Sequence, residues 1–241
     1  HPQYTGQTYL DILATVKAAE PGMHVHAFSP LEVWQGAATL GVPLREFLQR
    51  LKAAGLGTLP GTAAEVLDDE VRRILCPDKI NTEQWFEVMR TAHEVGFRTT
   101  ATIMYGHVDR YEHWARHLLR IRDLQAVTGG FTEFVPLHLK GRARRGTTFR
   151  EAVLMHAVAR LVLNPLIPNI QASWVKMGHE GVVACLNAGV NDLGGTLMNE
   201  SITRAAGAAH GQETSPEEML AMIEAAGRTP RQRANDYGPV S

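Results

Sequence analysis

Apolar residues recur at intervals of three and four through Thr5 to Glu20. Tyr9, Ile12, Leu13 and Val16 mark one face, so the spacing predicts a helix, which Pro21-Gly22 ends. The next stretch, Met23 to Pro30, alternates instead. His24, His26 and Phe28 fall on one face of a predicted strand, with Val25, Ala27 and Ser29 on the other. A helix starts at once from Ser29-Pro30-Leu31-Glu32, a capping box with Pro at the first helical position. Gly41-Val42-Pro43 breaks it, and a second piece continues through Phe47, Leu48 and Leu51 to Gly55.

The strand-then-helix unit then repeats. Gly57 to Gly61 reads as a very short strand and turn. Thr62-Ala63-Ala64-Glu65 reads as a capping box opening a helix through Val66, Val71 and Leu75. Asn81 to Gln84 caps a further helix that ends at Gly96. Phe97 to Tyr105 is a β-branched strand, and Tyr111 to Val127 is a helix closed by Gly129-Gly130. Phe131 to Leu137 is the next strand, followed by a basic loop from Lys140 to Gly146 and a helix from Thr148 to Leu163. Ile167 to Ser173 is a strand, Gly181 to Ala188 a helix, and Val190 to Leu193 a stub of strand. Helices over Thr196–Ala206 and Ser215–Ala226 and a polar, irregular tail, Arg228 to Ser241, complete the chain.

Six predicted strands alternate with helices, mostly in units of roughly 30 residues, which is the βαβ pattern of a parallel sheet. No glycine-rich dinucleotide turn follows the first strand, whereas polar residues recur at the strand ends, as in a parallel (β/α) barrel. Eight strands close the common barrel, so the expectation is an incomplete α/β barrel whose first two strands lie upstream of His1. No linker divides residues 1–241, which read as a single domain with 228–241 as its tail.

Composition narrows the function. A formal net charge of −1 gives no electrostatic case for nucleic acid, and no apolar run reaches membrane-spanning length. Cys76 and Cys185, far apart and without metal-ligand spacing, read as core thiols of a cytoplasmic protein.

The chemistry-bearing residues have alternative readings. His24 and His26 could be a His-x-His metal site of a barrel hydrolase, with His107, His138 and Asp192 as further ligands, or hydrogen-bonded residues of the barrel interior. Tyr105 and His107 end one strand as an acid/base pair, a cofactor contact or rim packing. Ser29, Thr62 and Asn81 are helix caps, although the helix starts at Ser29 and Thr62 also suit an anion at the barrel mouth. Glu133, in the apolar strand FTEFVPL, needs a partner if buried, and reads as functional. Gln171, Ser173 and Trp174 add hydrogen bonding and a stacking surface. Asn191-Asp192 before Gly194-Gly195 sets a carboxylate beside approachable backbone.

The segments HVHAFSPLEV, LPGTAAEVLDDEVR, TATIMYGHVD, GGFTEFVPL, IPNIQASWVKMG and GVNDLGGTLMNESITRAAGAAHG, in this order, resemble the radical S-adenosylmethionine subunit of FO synthases. Menaquinone-pathway members of the same superfamily share single segments such as HAFSP, while PGTAAE with NDLGGTLM points to the FO synthase branch. The resemblance implies a radical-SAM barrel that uses S-adenosylmethionine and a 4Fe-4S cluster. It implies transfer of the 4-hydroxybenzyl group of L-tyrosine to 5-amino-6-(D-ribitylamino)uracil, with a second FO synthase subunit or domain as partner. His24, His26, Tyr105, His107, Glu133, Gln171, Asn191 and Asp192 would then line the substrate site, and Thr62 and Glu65 would lie near S-adenosylmethionine. The family's Cys-x3-Cys-x2-Cys motif is not in this sequence. It is expected upstream, which would leave this chain without a cluster and inactive alone.

Overall fold

The computed structural model describes residues 3–139, 146–196 and 213–238. Its sheet consists of β1 (Thr58–Leu59), β2 (Arg98–Tyr105) and β3 (Phe131–His138), in that order and all parallel. Single parallel bridges extend the row on both sides. His26 pairs with Thr58, Phe134 with Ile170, and Gln171 with Asp192. The strand positions therefore follow one another in the order predicted, with helices between them, as a parallel sheet requires.

Three predicted strands shrink to these bridges, each for a local reason. The Met23–Pro30 stretch keeps its pairing only around His26, because Phe28 takes a φ of 65° and turns the chain into the next helix. Ile167 to Ser173 includes Pro168, which has no N–H to give the ladder, and only residues 170 and 171 bridge. Val190 to Leu193 meets its neighbour at Asp192 alone before Gly194 turns away at a φ of 73°.

Around this row lie α1 (Gly6–Ala19), α2 (Pro30–Leu40), α3 (Leu44–Ala53), α4 (Asp69–Leu75), α5 (Thr82–Val95), α6 (Tyr111–Thr128), α7 (Phe149–Leu163), α8 (Trp174–Asn187) and α9 (Pro216–Ala225). The capping boxes read at Ser29 and Asn81 are formed, with Ser29 N–H on Glu32 Oε2 at 2.7 Å and Gln84 N–H on Asn81 Oδ1 at 2.9 Å. Gly41, Gly96 and Gly129 end their helices in the left-handed region.

The capping box at Thr62 is not formed. Ala63 and Glu65 hold φ values of 57° and 44°, which no helical turn accepts, and the helix begins at Asp69 with Asp68 Oδ1 receiving the Glu70 N–H. The buried Arg72 guanidinium fixes this turn by donating to the carbonyls of Ala63, Ala64 and Ile80. A further correction concerns α8, which begins at Trp174 rather than Gly181 and absorbs a kink at Gly178, φ 68°. The predicted helix Thr196–Ala206 and the loop Lys140–Gly146 lie, but for Thr196 and Gly146, outside the described residues.

The pleat sorts the sheet into two faces. Ala101, Ile103 and Tyr105 of β2 and Phe134 of β3 pack with Trp85, Trp114, Leu118 and Ile121 in the helix-side core. A second core forms where α1, α2, α3 and α5 meet, around Tyr9, Leu13, Phe47, Leu48, Leu51 and Val88. Register pairs Thr100 with Glu133 and Thr102 with Val135, so these residues share the face turned away from the helices. That inner face carries the polar chemistry.

Candidate functional site

Glu133 is the hub of the inner face. Its side chain is buried on β3, and its Oε2 accepts from Gln171 Nε2 at 3.0 Å, from the Tyr237 hydroxyl, and from Arg233 Nη2 at 3.4 Å. Asp192, also buried, lies within reach of the same Tyr237 hydroxyl and accepts from Arg233 Nε through Oδ2. The phenol has one proton, so it donates to one carboxylate at a time, and the other contact closes when that carboxyl carries the proton itself. Two carboxylates thus share one phenol and one guanidinium, and the guanidinium lies 4.0 Å over the Tyr237 ring.

Local sequence explains this placement. The bridge between Gln171 and Asp192 sets their strand positions side by side. Gly194, in the left-handed region, returns its N–H to Asp192 Oδ1 at 2.6 Å, and a Cβ there would sit 3.0 Å from Gln171 Oε1. The NDLGG run therefore orients the carboxylate and leaves room for the amide beside it.

Burial pushes the Glu133 carboxyl above its ordinary range, and the Asp192 charge adds to this against the opposing Tyr237 and Arg233 contacts. Burial works against the Arg233 charge, but the Asp192 contact and the nearby carboxylates outweigh it and hold the guanidinium charged. The Tyr237 phenol is raised by burial and by both carboxylates, so it stays a donor.

At the other end of the strand row, His24 Nε2 and His26 Nδ1 both contact the Thr58 hydroxyl, at 2.9 and 2.7 Å. A hydroxyl has one proton, so it donates to one imidazole while the other donates its N–H back. Burial, with the neighbouring His24, lowers the His26 pKa and favours its neutral ring. A Cβ on Gly57 would meet the His24 ring at 2.5 Å, which accounts for the glycine before β1. Among the described residues, the side chains gathered closely enough to hold a metal ion are Asp68, Glu70 and His113, and neither His24 nor His26 is in that group. Among the described residues, the hydrolase reading therefore finds no further ligand to join His24 and His26.

Five other expected site residues stand apart from the Glu133 hub. Tyr105 faces the helices, fully buried, its ring 4.8 Å from Trp114, and its register partner His138 shares that face. Asn191 serves the backbone, its Oδ1 accepting the Ile170 N–H at 2.9 Å and Arg160 Nη2 at 2.7 Å. Thr62 is exposed, without the helix start that would have made it an anion site. Glu65 pairs with Lys79 at 2.6 Å, while its carbonyl takes the Met104 N–H near the end of β2. His107 follows β2, its backbone N–H held by Asp109 Oδ1 at 2.8 Å. Its Nδ1 is buried without a hydrogen-bond partner among the described residues.

Arg233 and Tyr237 escaped the sequence reading, because the segment after Arg228 reads as a polar tail. The signal available was an aromatic four residues after an arginine within that tail.

A row of parallel strands, helices against one face and ionisable groups on the other, is the scaffold of a (β/α)-barrel enzyme. Residues 7–121 match the radical SAM superfamily and 131–241 the CofH/MqnC C-terminal region. Solved structures of methylornithine synthase (PylB) and of HydG, a hydrogenase maturase, share this fold at a TM-score of 0.61 each, with 17% and 16% identity. They align over 94% and 92% of this chain and 73% and 49% of their own lengths. The chain is a radical-SAM barrel polypeptide.

Over 249 residues, and all of this chain, it is 49% identical to the 5-amino-6-(D-ribitylamino)uracil–L-tyrosine 4-hydroxyphenyl transferase of Methanopyrus kandleri, of which it spans 68%. The transferase of the same name from Archaeoglobus fulgidus is 50% identical over 95% of the chain, again spanned to 68%. The chain belongs to this transferase family. It is also 51% identical to the FO synthase of Streptomyces coelicolor, but spans only 29% of that protein.

The radical-SAM family implies S-adenosylmethionine and a 4Fe-4S cluster, and the thiols of this chain do not fit the cluster. Cluster ligation takes several thiolates close together. Cys76 and Cys185 are both buried, and burial raises both pKa values, that of Cys185 to about 12. Neither joins a metal-sized group of ligand atoms among the described residues.

Proposed function

We propose that this chain forms the substrate-holding part of a radical-SAM transferase that joins the 4-hydroxybenzyl group of L-tyrosine to 5-amino-6-(D-ribitylamino)uracil in deazaflavin coenzyme synthesis. The observation that carries this reading is near-half identity, over the whole chain, to the Methanopyrus kandleri transferase. The same level of identity to FO synthases favours this branch over the menaquinone-pathway relatives.

The chemistry of the inner face supports it. The ribityl chain and the amino groups of the uracil are rich in O–H and N–H donors, and Glu133 and Asp192 are buried acceptors with lone pairs to offer. Gln171 supplies a carbonyl oxygen beside them. His26 and His107 add imidazole nitrogens that can accept or donate hydrogen bonds. Glu65, at the mouth beside Lys79, is the residue of this chain we assign nearest to S-adenosylmethionine. S-adenosylmethionine and the cluster, when bound, supply the radical. The thiolates for that cluster belong to polypeptide other than this chain's described residues. A second radical-SAM domain or subunit is the partner this reading calls for. No helix among the described residues is long and apolar enough to cross a membrane, and a cytoplasmic site of action suits two free thiols.

The test is a chimera in which this chain replaces its counterpart in the Methanopyrus kandleri transferase. Reconstituted anaerobically with S-adenosylmethionine, L-tyrosine and the uracil, it is expected to release 5′-deoxyadenosine and the coupled product, both read by mass spectrometry. A folded, cluster-loaded chimera that yields 5′-deoxyadenosine but no coupled product would overturn the assignment.

A further inference from the structure

We propose that Arg233 and Tyr237 are working members of the inner-face site, holding Glu133 and Asp192 together as one paired acceptor for the donor groups of a polyhydroxylated, amino-substituted pyrimidine. The ligand class rests on the function proposed above. The placement of the two residues in the site does not.

The geometry carries the assignment. Helix α9 packs on α8 and delivers residues 228–238 back to the inner face, where this stretch forms neither helix nor strand. A turn in which the Tyr237 N–H meets the Ala234 carbonyl at 3.1 Å brings Arg233 and Tyr237 to one side. Their neighbours Gln232, Asn235 and Asp236 stay exposed, so these two side chains reach inward from an otherwise solvated stretch. Tyr237 holds a φ of 65°, a left-handed conformation that an aromatic residue rarely adopts, and its hydroxyl contacts both carboxylates. A residue merely covering the sheet would need neither feature.

The arrangement also has an electrostatic logic. Two neighbouring carboxylates repel unless a cation or a shared donor stands between them. The groups facing Glu133 are Gln171 and Asp192 from the adjoining strand positions, and Arg233 and Tyr237 from the C-terminal segment. Arg233 is the one cation in this set and reaches both acids. It acts through those carboxylates and is therefore a positioning residue. Tyr237, with one hydroxyl between two acids, fixes their spacing by contacting Glu133 Oε2 and Asp192 Oδ2, and Glu133 Oε1 is left out of these contacts.

The test is an infrared pH titration of the full chain, following the carbonyl stretch of a protonated carboxylic acid that disappears in Glu133→Gln. Arg233→Gln is expected to raise its midpoint by about one pH unit or more, and Arg233→Lys to bring it back toward the unsubstituted value. Tyr237→Phe, which keeps the ring and loses the shared donor, is expected to raise it as well. Calorimetric titration with 5-amino-6-(D-ribitylamino)uracil is expected to show roughly tenfold weaker binding in Arg233→Gln and Tyr237→Phe. L-Tyrosine serves as the control ligand. An infrared midpoint that stays fixed in folded Arg233→Gln and Tyr237→Phe, judged by circular dichroism, overturns the proposal. If the unsubstituted chain does not bind the uracil, the functional reading fails while the infrared result still decides the role of Arg233 and Tyr237.

Discussion

Glu133 shows how one side chain balances opposing terms. Its burial on β3 penalises the charged form, and the nearby Asp192 carboxylate penalises it further. Tyr237, Arg233 and Gln171 oppose this without cancelling it, so the folded-state pKa is raised. A carboxyl of this kind binds its proton more tightly folded than unfolded. Its contribution to stability is fully present below the ordinary carboxylate pKa and is lost as pH rises through the raised folded value. Replacing Glu133 by Gln removes that dependence. Urea unfolding of the two proteins across the acid-to-neutral range is expected to show the variant gaining relative stability as pH rises. A difference that stays constant with pH would show that Glu133 titrates alike in both states. The strand FTEFVPL was enough to single out this residue, because a carboxylate among aromatic neighbours demands partners. The partners were not legible. Arg233 and Tyr237 lie some hundred positions away, and nothing in a polar stretch announces which of its residues will turn inward.

The elements show the same division between local and distant signals. Capping boxes at Ser29 and Asn81 were readable because their two members lie three residues apart and act alone. The identical pattern at Thr62 misled, because the chain there obeys contacts from outside the element. Gly61 is clamped on β2, its N–H on Thr100 Oγ1 at 2.8 Å and its carbonyl receiving Thr102 Oγ1 at 2.6 Å. The buried Arg72 then gathers the following carbonyls. A Cβ on Gly61 would stand 2.3 Å from the Thr100 carbonyl oxygen, which is backbone and cannot swing aside. Gly61→Ala is therefore expected to cost about 1–3 kcal/mol or more, read as a lowered urea midpoint with circular dichroism of the folded state. An unchanged midpoint would show that β1 and β2 can separate freely. His93 ties α5 to its neighbours in the same fashion, with Nδ1 at 2.6 Å from Thr128 Oγ1 and Nε2 at 2.7 Å from Thr99 Oγ1. Burial, with a smaller contribution from Arg98, lowers its pKa from 6.5 to about 4. The neutral ring is the folded form. Its stabilisation is complete above the unfolded pKa and is lost as pH falls from about 6.5 to about 4, by about 3 kcal/mol. Urea midpoints measured down this range are expected to fall, and to fall less steeply in His93→Gln.

For the molecule as a whole, the row of parallel strand positions was legible because each βα unit repeats the same punctuation, and the order survives even where a strand shrinks to one bridge. What the repeat could not convey is how the two ends of the row divide the chemistry. One end holds His24 and His26 on a single hydroxyl, and the other holds Glu133 and Asp192 beneath the C-terminal segment. Neither end offers a thiolate. Cys185 sits in the helix-side core and Cys76 caps α4, both as protonated small apolar residues in their packing. Iron–sulfur ligation would have to pull both from these sites and still find further ligands. Anaerobic reconstitution of this chain alone with iron and sulfide is therefore expected to give no charge-transfer absorption and no stoichiometric iron after desalting. A Cys76→Ser, Cys185→Ser double variant is expected to behave identically in that assay. A bound cluster lost in the double variant would mean that the helix-side core opens to metal, and that the proposed division of labour between this chain and a cluster-bearing partner is wrong.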